Sequence, residues 1–391
     1  MLTNKQKLLI KKYENEDVKK MALNKSAFEN QDAIFVLSQI RGRQIAKQKI
    51  PSWYENEEIV YPPHLSMEQA SSEINAKFKA GLLNNIQSFA DLTGGLGVDF
   101  SFMSQKAEVS HYVESNKFLC DSTKHNFQQL KLKNYTVNNT NAESFLNNTT
   151  KLDCIYIDPA RRDNTGKKVF RIEDCQPNII ELQGMLFEKS EKVLIKFSPI
   201  LDISLAEKSL KNVSQIYAIS VENECKELLF ILDNNQTQTE YFAVNILKNG
   251  MSDIFKFNKH TETSVEFAEN VKDYLYEPNA SIMKIGAFNQ ITAAYPVVKL
   301  EKNSHLYTSS EIVKNFPGRI FKVIETIIPN KKNIRELVKR IPKANLTVRN
   351  FPITVDKIRK ESGLKEGGEH YIFATFVNNQ HVWIVSKKAA L

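Results

Sequence analysis

The sequence has no long hydrophobic run, few cysteines and few histidines. No apolar segment approaches the length that spans a bilayer, which excludes a transmembrane helix. The seven histidines do not cluster, and the four cysteines stand singly at 120, 154, 175 and 225. The sequence therefore predicts neither a metal site nor a disulfide framework. The first residues lack the apolar core of a signal peptide, so we expect a cytoplasmic protein that does not bind membranes.

Acidic residues are scarce only towards the C-terminus. The 391 residues include 53 Lys and Arg against 45 Asp and Glu, a formal net charge of +8. Residues 301–391 hold 17 of the basic residues and 8 of the acidic ones, so the rest of the chain is near neutral. A basic region attached to a neutral body favours a polyanion partner. The alternative is a solvated, lysine-rich surface.

Changes of sequence pattern near residues 85 and 250 divide the chain. Residues 1–85 have apolar residues at three- and four-residue spacing, which predicts helices, with a break at 61–64 and a further helical stretch through 66–73. Short β runs then alternate with helical segments, which predicts parallel βαβ units. We expect an α/β chain with a Rossmann-like seven-strand sheet, an N-terminal helical region and two small C-terminal α+β domains. The strands expected after the first are 109–113, 135–137, 152–157, 193–197, 215–221 and 227–232.

A glycine-rich loop follows the first predicted strand. It reads Asp91-Leu-Thr93-Gly-Gly95-Leu-Gly97-Val-Asp99. Glycines permit positive φ and close approach of a ligand, and such loops bind nucleotide-like ligands in α/β folds. The last glycine of the pattern G-x-G-x-x-G is missing, because residue 100 is Phe, and Asp91 and Asp99 place acids on both sides of the glycines. These acids disfavour a diphosphate and suit a cationic cofactor without phosphate, such as S-adenosylmethionine (SAM). We predict cofactor contacts for Asp91, Thr93, Gly95, Gly97 and Asp99.

Polar residues at the ends of the next strands extend this candidate site. Glu114 ends the second strand, where a carboxylate can accept both ribose hydroxyls of a nucleoside. The alternative for Glu114 is an ordinary surface glutamate. Asn141 and Ala142 follow the third strand, where a side chain and a backbone N–H can hold the adenine edge.

An acidic turn, Asp158-Pro159-Ala160-Arg161-Arg162, follows the fourth strand. A carboxylate there can orient or deprotonate a nucleophile, and arginines can grip phosphate. The alternative is a plain turn cap. The residues after the fifth strand are expected to face the same cleft, and His64 is expected in a substrate loop. The candidate catalytic residues are Asp158, Pro159 and Arg161, and the candidate substrate-binding residues are His64, Arg161, Arg162, Lys196 and Ser198.

Three stretches of the sequence resemble motifs I, II and IV of class I SAM-dependent methyltransferases. They are Asp91-Leu-Thr-Gly-Gly-Leu-Gly, Glu114 and Asp158-Pro-Ala-Arg. The sequence is similar in particular to a bacterial family in which ferredoxin-like and THUMP-like domains follow the catalytic domain. The segments 64–73, 274–279 and 320–349 carry this closer resemblance. The resemblance implies SAM as the cofactor and adds Asp158 to the residues that contact it. It also implies RNA as the substrate, because THUMP domains elsewhere bind RNA. The expected domains are an N-terminal helical region (1–85), a methyltransferase domain (86–250), a ferredoxin-like domain (251–305) and a THUMP-like domain (306–391).

One departure from the family pattern concerns the methyl acceptor. Methyltransferases of amino groups usually carry a second proline and an aromatic ring where this chain has Ala160 and Arg161, and that ring stacks on the target base. Methylation of a base carbon through a covalent intermediate needs a cysteine nucleophile. Cys175 is the candidate, whereas Cys154 lies inside the fourth strand and is expected in the core. Asn141 also stands where many relatives have Asp.

Three hypotheses stay open on the sequence. The first is a SAM-dependent methyltransferase of RNA, anchored to its substrate by the basic THUMP-like region. The second is a methyltransferase of a small molecule with structural C-terminal domains. The third is an RNA-binding protein that keeps SAM without catalysis, and the presence of Asp91, Glu114 and Asp158 argues against it.

Overall fold

The structure, a computed structural model, describes residues 2–23, 33–62, 64–160, 172–235, 238–259, 261 and 264–390, without the side chains of 64–66. The chain forms two compact units. One contains Met1–Ile216 and Leu228–Thr239, and the other contains Tyr217–Glu227 and Glu240–Leu391. Within the described ranges, no helix is long and apolar enough to cross a membrane.

The N-terminal region is helical, as the apolar spacing predicts. Its helices are α1 (Asn4–Tyr13), α2 (Val18–Leu23), α3 (Ala33–Lys49), α4 (Pro51–Tyr54), α5 (His64–Gln69) and α6 (Glu73–Gly81). The stretch expected as one helix through 66–73 is divided, because α5 ends at Gln69 and α6 begins at Glu73. The Ser72 hydroxyl accepts from Asn75 N as the N-cap of α6. This cap, three residues after the end of α5, fixes the start of α6.

The helical region packs against the glycine loop. Trp53, Tyr61 and Met67 belong to a buried cluster that also contains Leu96 and Val98 of that loop. Apolar contact therefore holds the loop from the side of the N-terminal helices.

The strands between 86 and 233 are the seven expected strands, and the sheet that contains them has nine strands in all. They are β1 (Ile86–Asp91), β2 (Ala107–Val113), β3 (Tyr135–Asn138), β4 (Leu152–Ile157), β5 (Ser190–Phe197), β6 (Val213–Val221) and β7 (Glu224–Asp233). Their order is β3-β2-β1-β4-β5-β7-β6. The first five strands are parallel and β7 is antiparallel to β5. The carboxyl ends of β1, β2, β4 and β5 therefore meet at one edge, which is where ligands bind in such sheets.

The helices between these strands follow the βαβ pattern. They are α7 (Val98–Met103), α8 (Lys117–Gln129), α9 (Ala142–Asn148), α10 (Ile179–Lys189) and α11 (Ile203–Ser209). Residues 154–157 of β4 are fully buried, as expected for a parallel strand covered on both faces. Cys154 lies in this core, and burial raises the pKa of its thiol to about 12.

The second unit contains a further sheet. Its helices are α12 (Ala280–Ile285), α13 (Gln290–Ala294), α14 (Lys331–Arg340) and α15 (Val355–Ser362). Its strands are β8 (Glu240–Ile246), β9 (Ser252–Phe257), β10 (Tyr274–Pro278), β11 (Val298–Lys299), β12 (Tyr307–Ser309), β13 (Gly318–Ile327), β14 (Asn345–Val348), β15 (His370–Val377) and β16 (Gln380–Lys388). The last seven are ordered β11-β12-β10-β13-β16-β15-β14. The antiparallel strands β8 and β9 follow β6 in the order of the nine-strand sheet and have no counterpart among the predicted strands.

The two faces of this second sheet are both buried. Phe373 and Ile384 belong to one apolar cluster, and their chain neighbours Ile372 and Trp383 belong to another. Successive side chains of a strand point to opposite faces, so β15 and β16 contribute to two cores at once.

Candidate active site

The glycine loop after β1 is fixed by close packing. Gly97 has a φ of +83° at the start of α7, and a Cβ there would lie 2.7 Å from Phe127 Cζ. A Cβ on Gly94 would lie 2.1 Å from Tyr112 Cε2. The Tyr112 hydroxyl donates to the carbonyl oxygen of Gly95 at 2.5 Å. Glycine is thus required at 94 by packing and at 97 by packing and backbone conformation.

Glu114, at the end of β2, reaches back to this loop. Its Oε2 accepts from Gly95 N at 3.0 Å, and its Oε1 accepts from Asn116 N at 2.8 Å. The half-buried carboxylate lies where the sequence predicts a ribose-binding acid, and that role stays a prediction.

Thr93 joins the ends of β1 and β4. Its backbone N donates to Asp91 Oδ1 at 3.0 Å, and its hydroxyl oxygen accepts from Asp158 N at 2.6 Å. Two acids that are far apart in the sequence are thereby held at one edge of the sheet. Burial raises the pKa of Asp91 to about 8, against the lowering effect of the Thr93 N–H, and the nearby charges of Asp99 and Asp158 raise it further.

Asp158 is paired with Lys196 of the neighbouring strand β5. Lys196 Nζ lies 2.5 Å from Asp158 Oδ2. The Asp158 side chain is 35% exposed and that of Lys196 is 11% exposed, so the acid faces solvent and the lysine supports it from behind. Ser198 follows in a turn, where its Oγ accepts from Ile200 N at 3.3 Å.

Lys196 also belongs to a buried group of polar side chains, which we call the Lys79 cluster: Ser71, Lys79, Asp99, Tyr156 and Lys196. Lys79 Nζ lies 2.9 Å from Asp99 Oδ1 and 3.0 Å from Ser71 Oγ. Ser71 Oγ and the Tyr156 hydroxyl each donate to Asp99 Oδ2 at 2.7 Å. Lys196 Nζ donates to Ser71 Oγ at 3.1 Å and lies 3.7 Å from Asp99 Oδ2.

Charge is balanced within this arrangement. Burial alone would raise the pKa of Asp99, but the ammonium groups of Lys79 and Lys196, with hydrogen bonds from Lys79 and Ser71, hold that pKa well below its usual range. Two lysines therefore match the carboxylates of Asp99 and Asp158. The buried acid Asp91 forms no ion pair with Lys or Arg among the described residues, which fits its raised pKa.

The remaining predicted site residues have simpler surroundings. Asn141 caps α9, its Oδ1 accepting from Ser144 N at 2.8 Å, and Ala142 is buried behind it. Ala160 exchanges backbone hydrogen bonds with Gln176. The Asp99 carboxylate is bonded to the other members of the Lys79 cluster, and its predicted contact with a cofactor stays a prediction. Pro159 and Cys175 are buried, whereas Arg161, Arg162 and the side chain of His64 lie outside the described residues.

The sequence does not predict a polar role for Ser71, Lys79 or Tyr156. Ser71 follows α5, Lys79 lies on α6 and Tyr156 lies in the middle of an apolar strand, so nothing in their sequence neighbourhood marks them as polar partners of Asp99.

The acids at this edge fit the chemistry of a cationic nucleoside cofactor. Glu114 and Asp91 flank the glycine loop, and among the described residues neither forms an ion pair with Lys or Arg. A carboxylate without a cationic partner, as at Glu114, suits a ribose diol rather than a diphosphate. The described part of the chain contains no group of three His, Cys, Asp or Glu side chains arranged to hold a metal ion.

Comparison with known proteins agrees with this geometry. A crystal structure of a candidate methyltransferase from Porphyromonas gingivalis W83 aligns over 100% of both chains, with a TM-score of 0.89 and 29% identity. Residues 274–317 match a ferredoxin-like domain family, and residues 318–388 match a THUMP-like domain family. Over its whole length the chain is therefore similar to a candidate methyltransferase, and its C-terminal part matches ferredoxin-like and THUMP-like domains. The two C-terminal matches share the seven-strand sheet of the second unit.

Other similarities are partial. A candidate methyltransferase from Escherichia coli has a TM-score of 0.30 and 19% identity, and covers 42% of this chain and 85% of its own. An rRNA methylase from Streptococcus thermophilus has a TM-score of 0.32 and 13% identity, and covers 42% of this chain and 95% of its own. Neither similarity bears on the activity of this chain. No curated protein matches the sequence.

Proposed function

We propose that this chain is a SAM-dependent methyltransferase that modifies RNA. The observation that supports it most is the placement of Asp158 and Lys196 beside the glycine loop, with Glu114 bound to that loop from the next strand. The full-length similarity to a candidate methyltransferase supports methyl transfer, and the acids at the loop support SAM as the cofactor.

The cofactor would be held by residues at the ends of β1, β2 and β3. When bound, SAM supplies an electrophilic methyl group on a sulfonium. We assign Glu114 to the ribose hydroxyls, and Asn141 with Ala142 to the adenine edge. The rigid turn at Gly95 and Gly97 lets the ligand approach the backbone.

Asp158 would orient the methyl acceptor. A carboxylate at this edge accepts a hydrogen bond or a proton from an acceptor N–H or O–H group. Lys196 keeps the carboxylate in place, and Pro159 stiffens the turn that carries it. Positioning is expected to account for much of the rate, because a methyl transfer of this kind is a direct displacement between two aligned groups. Arg161 and Arg162 are proposed as contacts to substrate phosphate.

RNA is the proposed substrate because of the C-terminal part of the chain. Residues 301–391 carry the excess of basic residues, and the THUMP-like match covers most of them. Lysines and arginines that neutralise phosphates bind RNA in a salt-dependent way.

The test is incubation of the protein with methyl-labelled SAM and a cell extract divided into total RNA and small molecules. We expect label in the RNA fraction. Label in the small-molecule fraction alone would favour the second hypothesis, and SAM binding without transfer to either fraction would favour the third.

A further inference from the structure

The second unit contains a cleft of about 410 Å³ whose charged lining is mostly basic. Its polar lining consists of Asn223, Glu277, Lys284, Arg319 and Arg349. Three cationic side chains face one carboxylate, so the lining carries two positive charges in excess. We call this the arginine cleft.

Glu277 organises both arginines of the cleft. Its side chain is only 4% exposed, and its Oε2 accepts from Arg319 Nε at 2.7 Å and also from Arg319 Nη2. Its Oε1 accepts from Arg349 Nη2 at 3.0 Å. One buried carboxylate on β10 thus fixes two guanidinium groups, one on β13 and one just after β14. Because both oxygens of the acid are engaged, the arginines are placed before any ligand arrives.

The backbone under this cluster is also closely packed. A Cβ on Gly318 would lie 2.1 Å from the carbonyl oxygen of Glu277, so only glycine allows β13 to run this close to β10. The arginine cleft therefore rests on a rigid part of the sheet.

The guanidinium groups have more donors than Glu277 can use. Each guanidinium has five N–H donors, and the two oxygens of Glu277 take three bonds in total from the pair. Arg349 Nε is buried and has no hydrogen-bond partner within the described part of the chain. The Arg319 and Arg349 side chains are 39% and 32% exposed, so part of each planar group faces the cleft. Planar donors with excess positive charge match the oxygens of a phosphate group.

We propose that the arginine cleft binds a backbone phosphate of the RNA substrate. None of the described residues that line the cleft is aromatic, so these residues offer no surface on which a base would stack. A phosphate contact without base stacking positions RNA without reading its sequence. This inference rests on the proposed function, because it takes RNA as the substrate, and it adds a specific anchoring site on the C-terminal unit.

The test compares RNA affinity over a range of salt concentrations for the full-length protein and three variants. Lys284→Gln removes one charge from the cleft without touching the Glu277 ion pairs. Arg349→Lys keeps the charge and loses the planar fork. Lys248→Gln is the matched control, because Lys248 is an exposed lysine of the same unit that does not line the cleft. The probe is a fluorescent single-stranded RNA oligonucleotide, and thermal unfolding confirms that each variant is folded.

We expect Lys284→Gln to reduce the steepness of log affinity against log salt by about 0.7, the contribution of one phosphate contact on a single strand. Arg349→Lys should weaken RNA binding at fixed salt and keep the slope. Lys248→Gln should match the parent protein in both. An unchanged slope in Lys284→Gln, or a change of the same size in the control, would overturn the proposal.

A second arm separates RNA phosphate from free phosphate. Inorganic phosphate is titrated and followed by ³¹P NMR. If its binding is saturable and is abolished by Lys284→Gln while the RNA slopes stay equal, the site takes a free anion and the RNA proposal is wrong.

Methyl transfer is measured in the same proteins. If the parent labels RNA and the slopes do not differ, the cleft proposal fails alone. If the slopes differ as expected and no RNA is labelled, the methyltransferase proposal fails and the anchoring site stands.

Discussion

Lys196 Nζ lies 2.5 Å from Asp158 Oδ2, and this ion pair ties the carboxyl ends of two neighbouring parallel strands together. On its other side, the same ammonium group donates to Ser71 Oγ, which donates to the buried carboxylate of Asp99. The solvent-facing acid of the candidate active site is therefore connected to the buried Lys79 cluster through one lysine.

Replacing Lys196 tests whether it positions Asp158. We expect Lys196→Gln to lower kcat by about 100-fold, because an unsupported carboxylate no longer holds its position, while the Kd for SAM stays unchanged. Lys192→Gln, at the opposite end of the same strand, is the control, and equal effects in both variants would show that Lys196 has no special role.

Replacing Lys79 tests the energetics of the buried cluster. Lys79 is fully buried, so Lys79→Met would leave Asp99 with one less cation and should destabilise the first unit by about 3–5 kcal/mol. Lys117→Met, which removes an exposed i,i+4 pair with Asp121, should cost about 0.5 kcal/mol or less. Urea unfolding followed by Trp53 fluorescence in a Trp383→Phe background reports on the first unit alone. Equal stability losses in the two variants would contradict the assigned role of Lys79.

Replacing Glu114 tests the cofactor site. Glu114→Ala should weaken SAM binding by about 10- to 100-fold, because hydrogen bonds to a charged acceptor are lost. Glu108→Ala, an exposed acid at the start of the same strand, should bind SAM like the parent. Isothermal titration calorimetry measures both, and an unchanged Kd in Glu114→Ala would remove Glu114 from the cofactor site.

The raised pKa of Asp91 predicts a pH dependence of stability. Between about pH 4 and pH 8 the folded protein keeps a proton on Asp91 that the unfolded chain releases, so the contribution of this residue to stability falls as the pH rises. The groups that act on Asp91 are Asp99, Asp158 and Lys196. Asp91→Asn keeps an acceptor for the Thr93 N–H and does not titrate. Its Tm relative to the parent should therefore increase steadily from pH 5 to pH 8.

Asp121→Asn provides the control for that series. Asp121 is an exposed acid on α8, so the difference in Tm between this variant and the parent should not follow the same trend. A constant difference for Asp91→Asn over the same range would show that Asp91 is ionised in the folded protein.

Much of the catalytic sheet could be predicted from the sequence, because each parallel strand is a short apolar run that ends at a polar residue. Asp91, Glu114, Asp158 and Lys196 were identified in this way, and the strand order places them at one edge. The pairing of Lys196 with Asp158 needs only the knowledge that β4 and β5 are neighbours. The domain boundaries expected at 85, 250 and 305 stay predictions.

The buried Lys79 cluster could not be predicted, for a physical reason. Lys79 occupies a position on a short helix that is equally compatible with solvent, and only the packing of α6 against α7 buries it beside Asp99. The arginine cleft was hidden for a similar reason. Glu277, Arg319 and Arg349 lie far apart in the sequence and meet only when β10 and β13 pair and the chain after β14 returns to them.

The central claim is that Asp158 acts on the methyl acceptor of an enzyme that uses SAM to modify RNA. The direct test compares single-turnover transfer of labelled methyl from SAM to RNA by the parent protein and by Asp158→Asn, with the Kd for SAM measured in parallel. We predict equal SAM affinity and a rate at least about 100-fold lower in the variant. Transfer to RNA by Asp158→Asn at the parent rate would contradict the claim.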